Sequence, residues 1–145
     1  MHVTEETARI RCVGGIVVDS GRILLVQRGQ QPSLGLWSIP GGRLEPGETT
    51  EEGCAREVLE ETGLRVDVGA LVGTVERDAP GGGIYVIDDH LCAPAPGDQA
   101  VVSGDDAADA RWFDRAALEA LDASGLMAPG VLQALIDWHV LDTLA

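Results

Sequence analysis

Residues 41–64, GGRLEPGETTEEGCAREVLEETGL, constrain the chain more than any other stretch. They state where one helix begins, where it ends and what it carries. Thr49 followed by Glu52 has the spacing of a capping box, and Gly63 offers a left-handed carboxy-terminal cap. These signals predict a helix over 50–62. Seven glutamates fall in the twenty-four positions of the stretch. At about 100° per residue, Glu57, Glu60 and Glu61 share one face, while Val58, Ala55 and Leu59 occupy the opposite one. Gly53 lies one turn before Glu57, where a glycine costs about 1 kcal/mol relative to Ala and leaves room beside the acids.

Like charges three and four residues apart repel, and the repulsion grows where water is excluded. Arg56 is placed to pair with Glu52 and Glu60 and relieves part of it. The remaining charge suits a hard divalent cation. Mg²⁺ prefers oxygen ligands, keeps several waters and takes a few carboxylates together with substrate phosphates, and Mn²⁺ accepts similar donors. Glu48, in a Pro-Gly turn ahead of the helix, is a candidate for one more oxygen. The competing reading is a solvated acidic face on an amphipathic helix, which is common in a chain this acidic.

The overall charge bears on the partner. A net charge of −14 with only ten lysines and arginines argues against long nucleic acid, which needs clustered cations to replace its counterions. An anionic small molecule remains open, provided that something other than the protein compensates its charge. A metal ion would do so. Cys12, Cys54 and Cys92 are odd in number and lack Cys-x-x-Cys spacing, so they read as small apolar side chains in a reducing compartment. No uncharged apolar run reaches helix-spanning length, and the first residues carry no apolar leader, so a cytoplasmic protein without membrane contact is expected. At 145 residues one domain over 1–145 is expected, with 1–8 as a polar tail.

Along the rest of the chain, residues 9–28 form two β-branched and aliphatic runs around Asp-Ser-Gly and predict an antiparallel hairpin. A loop precedes the short apolar piece LWSIPGG. Strands are predicted over 65–77 and 83–93, flanking the turn-rich DAPGGG, and over 108–113. Asp114 is placed to cap a helix over 115–123, and a final helix is predicted over 129–141 with Pro129 in its first turn. Strands interrupted by three helices imply a mixed sheet with helices packed on its faces.

The spacing of the opening stretch resembles the signature of the Nudix hydrolases: Gly, five residues, Glu, seven residues, then Arg-Glu-apolar-x-Glu-Glu-x-Gly-apolar. Gly42, Glu48, Arg56, Glu57, Val58, Glu60, Glu61, Gly63 and Leu64 fill every specified position without a gap. VGGIVVDSGRILLVQR, GLWSIPGG and ADARWF are similar to the family's opening hairpin, its lead-in to the signature and its closing strand, so the likeness runs from about residue 10 to 120. The resemblance implies an α/β (α+β) fold, a Nudix-like α/β/α sandwich with a mixed β-sheet between helices. It also implies a metal-dependent enzyme that hydrolyses the diphosphate linkage of a nucleoside diphosphate derivative. Glu57, Glu61 and Glu60 are then the expected metal ligands and Glu48 an accessory one. Arg56 orients a glutamate, and Gly42 serves the backbone turn.

Other positions carry weaker expectations. Gly41 and Arg28 are candidates for substrate contact, Arg28 competing with a plain surface cation. Trp37 is a candidate to stack on a base, competing with a place in the core. Tyr85 is a candidate to line the pocket. Trp112 and Trp138 read as packing, and His2, His90 and His139 as structural or solvated. The group that takes the water's proton is open among Glu76, Asp78, Asp88, Asp89, Asp105 and Asp106. Pro80, sixteen residues past Leu64, leans toward ADP-ribose, although DAPGGG would hold a proline for its turn anyway. The alternatives are a house-cleaning (deoxy)nucleoside triphosphate pyrophosphatase and, in another class, a non-catalytic nucleotide-binding module. A homodimer is expected by analogy.

Overall fold

The computed structural model describes residues 8–31, 33–104 and 107–145. Their strands are β1 (Arg9–Asp19), β2 (Arg22–Arg28), β3 (Trp37–Ser38), β4 (Gly41–Arg43), β5 (Val66–Asp78), β6 (Ile84–Pro94) and β7 (Ala107–Phe113). Their helices are α1 (Thr50–Thr62), α2 (Arg115–Ala123) and α3 (Val131–Asp137), followed by a 3₁₀ turn at Leu141–Thr143.

Strand β1 organises the sheet. Arg9 through Val17 pair in parallel with β6, and Cys12 to Gly14 pair antiparallel with β4 on the other edge. Only Val18 and Asp19 pair with β2. The hairpin expected over 9–28 is therefore closed at its tip alone. Ser20 and Gly21, both with positive φ (52° and 75°), make the tight turn that right-twisted strands favour. Beyond it β1 leaves β2, which pairs with β3 and β7 instead. The result is a seven-stranded mixed sheet along the path β3-β2-β1-β6-β5, with β4 added to β1 and β7 to β2.

Period-two alternation splits the apolar side chains between the two faces. Val13, Val17 and Leu24 point toward α1 and pack with Cys54, Val58, Leu64 and Cys92. Ile16, Ile23 and Leu25 point the other way, toward Leu118 of α2, Leu135 of α3 and Val140. Each fully buried aliphatic side chain contributes about 1.5–3 kcal/mol. Helices thus cover both faces of the mixed sheet, as the α/β/α expectation required.

Helix α1 occupies the expected span. Thr49 Oγ1 accepts the Glu52 N–H at 3.1 Å, the Glu52 carboxylate accepts the Thr49 N–H at 3.0 Å, and Gly63 caps the other end at φ 71°. Its rotation differs from the expectation. The buried residues are Gly53, Cys54, Val58 and Thr62, and Leu59 is 44% exposed. The inward face therefore lies between Gly53 and Thr62, and it takes Glu57 and Glu61 with it. Helix α2 matches its predicted span, with Asp114 Oδ1 accepting the Ala117 N–H at 2.8 Å. The final helix is shorter than predicted. It starts after Gly130, whose φ of 81° lies outside helical geometry, and stops before His139, whose φ is 59°. Among the described residues no helix is long and apolar enough to cross a membrane.

Candidate active site

Arg56 is the structural centre of the acidic helix. Its Nε and Nη2 donate to the two oxygens of Glu48 at 2.7 and 2.8 Å. Nη1 donates to Glu57 Oε1 at 2.9 Å and to Glu60 Oε2 at 3.3 Å, and Nη2 also donates to the Arg43 carbonyl at 3.1 Å. A guanidinium has five N–H donors in a fixed fork, and here each has an acceptor. The bidentate pair with Glu48 joins the turn before α1 to the helix. The Glu45 N–H, which donates to Glu48 Oε1 at 3.0 Å, fixes that carboxylate from behind. Hydrogen bonds from Arg56, then the bond from Glu45, hold the Glu48 carboxyl down at about 2. Both Glu48 oxygens accept from Arg56, which fixes the orientation of this expected accessory ligand.

Glu57 and Glu61 form the inward pair. A Cβ on Gly42 would come within 2.6 Å of Glu57 Oε1, so the absent side chain at this position is what lets strand β4 approach the carboxylate. Glu61 is pushed up to about 8, chiefly by burial and then by the Glu57 charge and its hydrogen bond, while the Gly41 N–H and Arg28 pull the other way. Two carboxylates in a shielded space with one of them driven toward its neutral form make a site that a cation would relieve. Glu60 does not join them. Its side chain is 56% exposed and reaches only Arg56. Of the three expected metal ligands, Glu57 and Glu61 lie on the sheet-facing arc of α1 and Glu60 lies outside it. Among the described residues no group of three or more His, Cys, Asp and Glu is arranged to hold a metal unaided. The pair fits Mg²⁺ or Mn²⁺ in the manner in which such ions bind one or two carboxylates and complete their shell with water and phosphate.

A cavity of about 220 Å³ adjoins this pair, lined by Val26, Gln27, Arg28, Gln30, Ser38, Ile39, Gly41, Glu61 and Ala107. It brings Arg28 and Gly41, two of the expected substrate contacts, to the same space as Glu61. Trp37 is not among the lining residues. It is 6% exposed, packed in the core on the α2/α3 side with its ring edge-on to Phe113 at 5.1 Å. The alternative of a core tryptophan describes it.

The remaining candidates scatter. Glu76 pairs with Arg9, and Asp88 accepts from Thr74 Oγ1 at 2.7 Å. Asp78 ends β5 in exposed surroundings. Asp89 is buried, and Asp105, Asp106 and His2 lie outside the described residues. Tyr85 accepts from Arg43 Nη2 at 3.3 Å and carries that guanidinium over its ring. His90 is structural: its ring bridges the Gly69 carbonyl and Thr50 Oγ1, each at 3.0 Å. His139 is exposed beside Asp142. Pro80 is exposed in the turn between β5 and β6 and is not among the cavity's lining residues. Arg43 and Ile39 are the positions that spacing did not single out. Arg43 contributes a backbone carbonyl, which any residue type would supply. Ile39 reads as one more apolar residue before a proline.

An arginine-locked acidic helix is set here against a glycine strand of a mixed sheet that helices cover on both faces, and the comparisons with known proteins show the family to which this arrangement belongs. The chain belongs to the Nudix family, whose NUDIX domain model matches residues 8–133. It is 37% identical over 98 residues to a putative 8-oxo-dGTP diphosphatase of Bacillus subtilis, a match that covers 67% of this chain and 60% of that protein. It is 39% identical over 105 residues to an ADP-ribose pyrophosphatase of Methanocaldococcus jannaschii, covering 70% of this chain and 60% of that protein. The match thus spans about 60% of the length of each of these two relatives. A NUDIX hydrolase structure from Nitrosomonas europaea superposes with a TM-score of 0.76 at 26% identity, covering 94% of this chain and 96% of that one.

Proposed function

We propose that the chain is a divalent-metal-dependent pyrophosphohydrolase that cleaves the diphosphate linkage of a nucleotide. The single observation that carries this reading is the inward pair Glu57–Glu61 beside a cavity that also presents Arg28, with Arg56 fixing Glu57 through a complete set of hydrogen bonds. Glu57 and Glu61 would hold Mg²⁺ or Mn²⁺. When bound, such an ion neutralises phosphate oxygens and lowers the pKa of a coordinated water. The chain's own contribution is positioning and charge. Arg56 keeps Glu57 oriented, Gly42 lets strand β4 come close to Glu57, the Gly41 N–H donates to Glu61, and Arg28, which lines the same cavity as Glu61, offers a cation to a phosphate.

The relatives' names, a CTP pyrophosphohydrolase of Escherichia coli among them, leave three substrate classes in view: an oxidised guanine nucleotide, ADP-ribose and CTP. The lean toward ADP-ribose rested on Pro80, and its place in an exposed turn gives that lean no support from the cavity. The triphosphate reading is the second one we keep. A non-catalytic nucleotide-binding module has less in its favour, since every acid of the signature is present. The test is release of nucleoside monophosphate from a panel of nucleotide sugars, ADP-ribose, dinucleoside polyphosphates and (deoxy)nucleoside triphosphates, with Mg²⁺ and with a chelator. Release that requires the metal and disappears in Glu57→Gln supports the enzyme. Tight nucleotide binding without turnover across the panel would leave the binding module instead.

A further inference from the structure

Spacing along the chain leaves the three cysteines unrelated, but the fold brings two of them together. Cys54 stands on the inward arc of α1 and Cys92 on β6, and their sulfurs lie 3.5 Å apart. Both are free thiols, 0% and 3% exposed. Gly15 of β1 provides the room, since a Cβ there would come within 3.2 Å of Cys54 Sγ and 3.6 Å of Cys92 Sγ. Cys12 stands apart. By strand alternation it faces away from Val13 and Val17, and its Sγ donates to the Ile10 carbonyl at 3.7 Å.

The paired thiols are not equivalent. The hydrogen bond from Cys54 lowers the Cys92 thiol against the effect of burial, and the Gly69 N–H lowers it further. The same bond, with burial, raises Cys54. Cys92 is therefore the first of the two to ionise and the nucleophile of the pair. Gly69 is an exposed residue of β5, the last strand on the path of the sheet, and the β5–β6 register slips between Val68 and Leu71. One exposed residue of an irregular edge strand thus touches the sulfur, and local opening of such a segment admits a small oxidant.

We infer that Cys54 and Cys92 form a redox switch, which a peroxide closes by joining them in a disulfide that ties α1 to β6 and slows hydrolysis. The Cys92 thiolate attacks one peroxide oxygen, the O–O bond breaks and hydroxide leaves, giving a sulfenic acid. The Cys54 sulfur then attacks the Cys92 sulfur, the S–O bond breaks and water leaves with the Cys54 proton. The two thiols lose two electrons, and the peroxide is reduced to two waters. The sulfurs must close from 3.5 Å to bonding distance, and Cys54 carries α1 with it. Glu57 follows three residues later and sits so close to β4 that a Cβ on Gly42 would come within 2.6 Å of its Oε1. A shift of α1 at Cys54 therefore disturbs the carboxylate pair, and a displacement of about 1 Å costs a catalytic site about a hundredfold. The slowing rests on the hydrolase reading, whereas the cross-link does not.

The test treats the reduced full chain with a small molar excess of hydrogen peroxide. It reads the intact mass, a peptide map and turnover of the nucleotide panel in Mg²⁺. Expected are a loss of two hydrogens, a linked peptide pair containing Cys54 and Cys92, and turnover lower by about tenfold or more that dithiothreitol restores. Cys92→Ala and Cys54→Ala, made separately, should hydrolyse at the reduced wild-type rate and keep that rate through peroxide. Cys12→Ala should respond as wild type does. Thiols that all survive the treatment, or a Cys92 sulfinic acid without a linked pair, would overturn the assignment. So would a linked pair with unchanged turnover. A reduced protein that turns over nothing in the panel sinks the hydrolase reading instead, and the linked peptide then decides the cross-link by itself.

Discussion

Two shielded carboxylates, one on each face of the same sheet, meet opposite treatment. On the α1 face Glu48 gives both oxygens to Arg56 and accepts a backbone N–H besides. On the other face Asp89 is buried with one oxygen, Oδ1, that has no hydrogen-bond partner. The first group is held down at about 2, by Arg56 above all, and the second is pushed up to about 7, by burial above all. An acid whose partners are all internal is scaffolding. An acid with a bare buried oxygen is held by the fold at a cost, and burial drives it toward its neutral form. The contrast separates a carboxylate whose bonds build the site from one that the fold buries with an oxygen unsatisfied.

The largest expected effect falls on the acid that stands between Arg56 and Glu61. Glu57 accepts from Arg56 through Oε1 and shares a hydrogen bond with Glu61. Glu57→Gln preserves shape and removes the charge, so hydrolysis is expected to fall about a thousandfold or more. The thermal midpoint should stay near wild type. Steady-state rates at saturating Mg²⁺, with a melt on the same sample, decide the matter. Near-normal turnover would place the cation elsewhere.

Arg56→Lys tests the scaffold side. A lysine keeps the charge and loses the fork, so it cannot serve Glu48, Glu57, Glu60 and the Arg43 carbonyl together. Arg56 is a positioning residue, and removal of such supports typically costs 10- to 100-fold in metal affinity or activity. The Mg²⁺ concentration for half-maximal rate should rise in the variant, which a merely structural loss would not produce. An unchanged metal requirement with a lowered melting point would reduce Arg56 to a staple.

The unpaired acid makes a pH prediction of the opposite sign to the usual one. A carboxyl near 7 in the folded chain and near 3.8 when unfolded keeps its proton longer in the native state. Its contribution to stability is therefore greatest below about pH 4, declines as pH rises toward 7 and is flat above. Glu48 behaves conversely, favouring the fold above its unfolded value and losing that contribution as pH falls toward 2. Asp89→Asn should accordingly be more stable than wild type at pH 8, by up to about 4 kcal/mol, with the advantage shrinking toward pH 5. Chemical denaturation of both proteins at pH 5, 6.5 and 8 measures it. A pH-independent difference would mean that Asp89 has a partner after all.

What could be read in advance follows the range of the interaction. Local signals held: the capping box of Thr49 and Glu52, the left-handed Gly63 and the Asp114 cap each operate within a few residues, and α1 and α2 begin and end where those signals put them. Long-range pairing did not announce itself. The parallel alignment of β1 with β6 joins segments some seventy residues apart, and no periodicity in either strand names its partner. The same limit hid the row of glycines around Asp89. Gly14, Gly41 and Gly73 lie on three strands, and only the sheet's register reveals that they share one row with Asp89. Spacing identified the acids of α1, yet it could not fix the helix's rotation, because Glu57 and Glu61 are polar residues that lie on the buried arc against their hydropathy.

That rotation supplies the finest test. A helical wheel drawn from hydropathy turns Leu59 inward and the acids outward, whereas the structure turns Val58 fully inward and leaves Leu59 44% exposed. Val58 packs against Gly15 so closely that a Cβ there would come within 2.7 Å of Val58 Cγ2, which leaves no slack for the helix to roll. Val58→Ala removes two methyl groups from a sealed position, and at about 0.8 kcal/mol per buried carbon plus a cavity term it should cost about 2 kcal/mol. Leu59→Ala removes more carbon from a position that water already reaches, and should fall within about 0.5 kcal/mol of wild type. Urea midpoints with unchanged slopes would read both values from the same curves. If Leu59→Ala proved the costlier change, α1 would be rolled outward relative to the sheet. Glu57 and Glu61 would then leave Gly42 and Gly41, and the distinction between scaffold acid and ligand acid would have to be redrawn.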